Sequence, residues 1–145
     1  MKLMSYPRFL AVACLVAAAT AAYPSARAGT DRREDFLAGR VKECPGCDLS
    51  GANFKRRDLT GANLAGANLK DANFHDARLI GAKLAGADFS GANLNKANLS
   101  RADAAGAKLN EAMLYGAILD AAKLAGADFS EALMGTARFL RCDLA

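Results

Sequence analysis

Gly61-Ala62-Asn63-Leu64-Ala65-Gly66-Ala67-Asn68-Leu69 carries one pattern almost twice over: Ala, a polar residue, Leu, then two small residues. The pattern recurs every five residues from Cys47 to the C-terminus. Its large apolar position runs Leu49, Phe54, Leu59, Leu64, Leu69, Phe74 and on to Leu144, with Ala104 the one truncated member. Ala stands two residues before each, except at Cys47, Arg57 and Cys142. A period of five suits neither regular element. On an α-helix each step advances the face by about 140° beyond a turn, so the Leu set would spiral around the surface. On a strand an odd step sends successive Leu to opposite faces. All of them face one core only if the chain turns a corner at every repeat, so that the coil stacks on itself at the ~4.8 Å spacing of paired strands. Gly after the Leu eases the corner.

The residue before each Leu points outward, and its charges report how many repeats make a coil. At a separation of 20 residues the charged pairs are Asp58/Arg78, Lys83/Asp103, Asp88/Lys108, Asp103/Lys123, Lys108/Asp128 and Lys123/Asp143, all opposite in sign. At 15 the pairs, such as Asp88/Asp103 and Lys108/Lys123, are like-charged, and at 25 they are mixed. Directly stacked like charges are unfavourable, so four repeats per coil is the expected closure. Glu111/Glu131, at another position of the repeat, is a dissenting like pair.

Units such as Ala62-Asn63-Leu64-Ala65-Gly66 and Ala87-Asp88-Phe89-Ser90-Gly91 resemble the pentapeptide repeat family. The opening stretch Cys44-Pro45-Gly46-Cys47-Asp48-Leu49-Ser50-Gly51 is similar to the start of its exported bacterial members. The resemblance spans residues 47–145 and implies an all-β, right-handed quadrilateral β-helix of four repeats per coil. Twenty repeats would then give about five coils, roughly 24 Å tall. Family members include DNA mimics that protect topoisomerases and many of unknown role.

The chain has 145 residues and a net charge of +4. Three of its 19 basic residues, Lys2, Arg8 and Arg27, lie in the first 28, which hold no acid; beyond them 16 bases face 15 acids. The remainder is near neutral, which does not point to nucleic acid or an anionic membrane. Residues 1–28 read as a secretory signal peptide: a basic start, an apolar run from Phe9 to Ala22, and Ala26-Arg27-Ala28 before Gly29. The run is short of the ~20 residues of a membrane span. A retained anchor and a lipidated Cys14 are the alternatives. Export to the periplasm or extracellular space, with no membrane attachment after cleavage, is the expectation, and it makes an oxidising compartment in which cysteines pair.

Residues 29–46 are expected to form an N-terminal cap and turn ahead of the repeat domain at 47–145. Thr30 to Glu43 is charged, with Phe36, Leu37 and Val41 spaced for a short helix that would cover the open end of the first coil; a flexible leader is the other reading. In Cys44-Pro45-Gly46-Cys47 the central pair favours a type II turn, whose ends come within the reach of a disulfide. A structural clip between Cys44 and Cys47 is expected. A redox-active dithiol would need a strand before and a helix after it, whereas the repeat already runs at Asp48. A metal site of two cysteine pairs lacks its second pair.

The copies that break the pattern are the candidate sites. Ala104 stacks between Leu84 and Leu124 and leaves either a local constriction or a cavity. Arg57 replaces an inward Ala and is expected to escape outward to Asp58 or Asp76, because an unpaired buried charge is costly. Cys142 replaces another inward Ala, about 20 Å along the axis from Cys44 and Cys47; it is a small buried thiol or the partner of an intermolecular disulfide. Outward positions turn apolar late in the chain. Met113, Tyr115 and Leu133 share one face and Ile118 and Leu140 the next, a candidate interaction patch or scattered surface hydrophobics. Nothing after Ala145 covers the last coil, whose edge invites pairing.

His75 is the single histidine, on an outward position. The carboxylates are spread beside Lys and Arg, and no phosphate loop, Ser-His-Asp set or metal cluster is present. The expectation is no enzyme, no cofactor and no nucleic-acid partner, but an exported structural or protein-interaction scaffold acting on an unknown protein or on itself through the C-terminal coil. The rival is a DNA-mimic, topoisomerase-protecting protein, which calls for a strongly acidic surface. A binder of ice or polysaccharide would show a Thr or aromatic ladder, but only Thr60 and Thr136 lie in the repeats.

Overall fold

The computed structural model describes residues 30–145; the signal-peptide reading and Cys14 lie outside them. The chain opens with helix α1, Thr30–Leu37. It ends on Gly39, whose φ of 79° is the left-handed conformation that glycine adopts without a Cβ penalty. The Arg40 N–H donates to the Asp35 carbonyl at 2.9 Å and the Gly39 N–H to the Phe36 carbonyl at 3.0 Å. These two bonds make the Schellman stop, which satisfies carbonyls the helix itself leaves open.

From Glu43 onward every β-bridge is parallel and joins residues 20 apart, from Glu43↔Asn63 to Lys123↔Asp143. Four pentapeptides therefore make each circuit. Each side is so short that pairing is by single bridges rather than by extended strands. From Cys44 to Met134 each repeat turns the same corner: the N–H three residues after the large apolar residue donates back to its carbonyl, as Ala67 does to Leu64 at 3.0 Å and Cys47 to Cys44 at 3.2 Å. The third turn residue has φ near +60°, the type II pattern. Gly46 fills it in the first turn, but Arg56, Asp71, Lys96, Ala121 and Thr136 fill it elsewhere.

The Asn or Asp before each Leu has a structural task beyond facing outward. Its side-chain oxygen accepts the N–H two residues on, as Asp48 does from Ser50 at 3.1 Å and Asn73 from His75 at 3.0 Å. That N–H has no place in the ladder between coils, so the Asx bond satisfies it locally. At two positions where the polar residue is lost the previous coil substitutes. Met113 cannot serve Tyr115, and Asn95 accepts the Tyr115 N–H at 2.9 Å; Arg138 cannot serve Leu140, and Asp120 accepts the Leu140 N–H at 3.2 Å.

Inside, the Leu and Phe side chains stack in files, buried from Leu49 to Leu124, with Ala between them buried from Ala62 to Ala122. Phe54 and Phe74 lie face to face with ring centroids 4.8 Å apart, the rise of one coil. At the N-terminal end Phe36 of α1, fully buried, sets its ring edge-on to Phe54 at 5.7 Å. At the other end the inward file opens: Phe129 and Phe139 are half-buried, and Met134 and Leu144 are exposed.

Candidate functional site

Cys44 and Cys47 are joined by a disulfide across a Cα–Cα distance of 5.4 Å. Cys44 occupies the inward position and is fully buried. The bond fastens the first turn of the coil beneath α1.

Arg57 does not reach Asp58 or Asp76. Its guanidinium donates to the carbonyls of Leu37 at 2.9 Å and Phe36 at 2.5 Å, and its Cζ lies 5.5 Å from the Phe36 ring centroid and 5.6 Å from that of Phe54. The expected escape outward fails because a better acceptor is nearer. The end of α1 offers carbonyls at the negative pole of the helix, which favour a cation, and two aromatic faces favour it further. Asp58 takes Arg78 instead, at 3.9 Å. Sequence reasoning missed this partner because it is backbone and lies outside the repeat.

Met113 and Leu133 are bridged, as their spacing implies. Met113 is half-buried and Leu133 is 49% exposed. Tyr115, 51% exposed, lays its ring over Gly135, where an added Cβ would collide with Tyr115 Cε1. Around the corner Ile118 is half-buried and Leu140 is 59% exposed. The five residues therefore fall on two adjoining sides of the late coils. Met134 and Leu144 join them as exposed apolar residues; a repeat pattern marks both as inward, and only the absence of a covering coil among the described residues turns them to solvent.

Beside Leu140 a shallow groove of about 400 Å³ is lined by Ile80, Ser100, Arg101, Asp120, Ala121 and Arg141. Arg138 donates through Nε to both Asp120 oxygens, at 3.1 and 2.8 Å. Arg138, together with the bound Leu140 N–H, holds the Asp120 carboxyl below its ordinary range, and Asp120 in turn raises Arg138. An aspartate so engaged is a structural anion, not a general base. Cys142 is half-buried and donates its thiol to the Leu119 carbonyl at 3.0 Å. Burial pushes that thiol above its usual range and Asp120 adds to the effect, while backbone bonds from Ala122 and Ala121 oppose it. It is protonated near neutrality, the unreactive form.

Ala104 is buried between Leu84 and Leu124. His75 stays half-exposed on its outward column. Among the described residues no cluster of His, Cys, Asp or Glu could hold a metal ion, and no helix is long and apolar enough to cross a membrane.

The family model for pentapeptide repeats matches residues 47–84 and 82–120, in eight copies. Solved structures share the architecture. A pentapeptide repeat protein from the thylakoid lumen of Arabidopsis thaliana is 30% identical, with 70% of this chain and 68% of that one aligned at a TM-score of 0.62. One from Nostoc Pcc 7120 is 27% identical over 76% and 94% of the two chains, with a TM-score of 0.64. One from the cyanobacterium Cyanothece 51142, 24% identical over 77% and 98%, has a TM-score of 0.63 and speaks for the fold alone. These likenesses imply a right-handed quadrilateral β-helix. Among curated protein sequences none matches the chain.

Proposed function

The chain belongs to the pentapeptide repeat family, and from that premise we propose that it is an exported, non-catalytic scaffold that binds a protein partner, or itself, through its late coils. The boundaries that go with this reading are a removed segment 1–28, a cap and clip at 29–46, and about five coils at 47–145. The packing of Phe36 on Phe54 supports the cap, and the disulfide at the first turn is in keeping with an oxidising compartment.

The observation that carries the reading is the apolar surface of Met113, Tyr115, Leu133 and Leu140, on a molecule whose other outward columns are polar or small. Contiguous exposed apolar surface marks contact sites. In keeping with a structural role, the Asp48, Asp58, Asp120 and Asp128 carboxyls are held below their ordinary range by neighbouring hydroxyls, N–H groups or Arg138. The DNA-mimic alternative lacks support in the surface, where Arg78, Lys83, Lys108 and Lys123 interrupt the acidic columns.

The test compares the wild-type chain with Met113→Asn/Leu133→Asn as bait for proteins of the exported fraction. Partners lost in the double variant support the patch, and the same set of partners from both baits removes it. N-terminal sequencing of protein recovered outside the cytoplasm should begin at Gly29; an intact Met1 there overturns cleavage.

A further inference from the structure

The outward column Lys83, Asp103, Lys123, Asp143 alternates in sign up one side of the coil, each residue bridged to the next. Alternation within a chain normally closes as ion pairs. Among the described residues the ion pairs formed are Arg40–Asp35, Lys70–Asp88, Arg78–Asp58 and Arg138–Asp120; no member of this column takes part. Asp103 and Asp143 are instead tied to their own backbone, accepting the N–H of Ala105 at 3.4 Å and of Ala145 at 3.2 Å. Lys83 and Lys123 stand exposed. Four alternating charges on one side are thus left without a salt-bridge partner.

We propose that this side is where two copies of the chain pair face to face and antiparallel. When two such sides meet about a twofold axis lying between them and across the coil axis, each column faces itself in reverse. Lys83 then stands opposite Asp143 of the second copy, and Asp103 opposite Lys123, so all four contacts are attractive. Sliding by one coil sets Lys83 against Lys123. Sliding by two sets Glu43 against Asp143 in one direction and in the other leaves only Lys123 opposite Asp143, half the attractive contacts. The column therefore selects one register, which is what charge complementarity contributes to association. This is an isologous contact, the commonest way for identical chains to pair.

Close approach is favoured on this side, where the corner before the column carries Arg101 and Arg141 but the column after it carries only small residues. Beside these four charges the neighbouring outward column is Ala85, Ala105, Ala125 and Ala145, and over this stretch no side chain longer than a methyl rises from it. The other three sides carry Lys70, His75, Tyr115 or Leu140 at the equivalent position. The shared face is about 19 Å tall and one repeat wide, far below the ~800 Å² per partner of a standard stable interface. The pair is therefore weak, concentration-dependent and salt-sensitive, and it uses a different surface from the late apolar patch.

Sedimentation equilibrium of the full chain tests it. At about 20 mM salt the wild type should dimerise below about 1 mM protein, and at about 500 mM salt, where screening is short-ranged, it should dissociate. Lys123→Asp, which sets carboxylates against each other, should lower the association constant roughly tenfold or more. Asp103→Lys/Lys123→Asp should restore it, although it puts like charges side by side within each chain; a role confined to one chain predicts the reverse. If Lys123→Asp does not fold, Ala105→Arg blocks the approach and should be monomeric. A wild type that stays monomeric, a dimer unaffected by Lys123→Asp or Ala105→Arg, or a folded double swap that stays monomeric overturns the proposal. So does a dimer lost in Met113→Asn/Leu133→Asn and kept in Lys123→Asp.

Discussion

Arg57 donates to the carbonyl of Leu37 at 2.9 Å, twenty residues back along the chain. One side chain that breaks the repeat thus joins the helix to the coil. Arg57→Ala restores the family's own residue at that position and should nonetheless destabilise. Charge-assisted hydrogen bonds of this kind are worth about 1.5–3 kcal/mol, and the variant should lose that much in denaturant unfolding. Hydrogen exchange at Phe36 and Leu37 should quicken before that of the coils. An unchanged midpoint with unchanged exchange would show that Phe36 alone holds the helix.

The fold was readable because its period is incompatible with helix and strand, and because the Asp58/Arg78 and Lys83/Asp103 pairs mark a 20-residue circuit that the bridges reproduce. The destination of Arg57 was not readable, since its acceptors are carbonyls and carry no residue signature. Nor was the task of Asn63 or Asp48, because an outward polar residue looks the same whether it meets water or the N–H two positions on. Leu133 and Leu140 could be picked out as apolar residues at outward positions. Met134 and Leu144 could not, because their exposure depends on what stacks against their coil.

Acid should weaken the molecule through its Asx bonds. Ser50, Thr60 and Ser130 hydroxyls hold Asp48, Asp58 and Asp128 below the ordinary aspartate range, and Arg138 does so for Asp120. A carboxylate lowered in the folded state contributes stability that is fully present above its unfolded value, about 3.9. That stability drains as pH falls through the lower folded values. Melting temperature should therefore be flat from neutrality to about pH 5 and fall below pH 4. Ser50→Ala/Thr60→Ala/Ser130→Ala should shallow the fall; an identical slope in the triple variant would place the acid sensitivity elsewhere.

Thr136 turns a corner at φ 58°, where a β-branched residue is strained. Left-handed backbone costs a non-glycine residue roughly 1–2 kcal/mol, of which glycine gives back about half in chain entropy. Thr136→Gly should raise stability by about 0.5–1 kcal/mol, read as a higher melting temperature. A lower one would mean that the Thr136 hydroxyl, near Gly116, holds the late coils together.

Ala104 breaks the inward file without bending the coil around it. The Ala104 N–H meets the Lys123 carbonyl at 2.8 Å, the same distance at which the Leu64 N–H, two coils earlier in the same file, meets the Lys83 carbonyl. On the other flank the Leu84 N–H meets the Asp103 carbonyl at 2.6 Å, so the ladder has tightened by no more than a few tenths of an ångström, far less than the volume that a Leu fills in the other repeats. Cutting a buried Leu to Ala typically costs about 2–5 kcal/mol where the site cannot collapse. Refilling such a site should recover part of that, and Ala104→Leu should raise the melting temperature. The opposite result, a sharp fall, would show that Leu84 and Leu124 have shifted their side chains into the space while the backbone kept its spacing, so that an added Leu overpacks the core. Ala102→Leu, at a position where every other coil keeps Ala or Cys, is the control: it should destabilise whichever way Ala104→Leu goes.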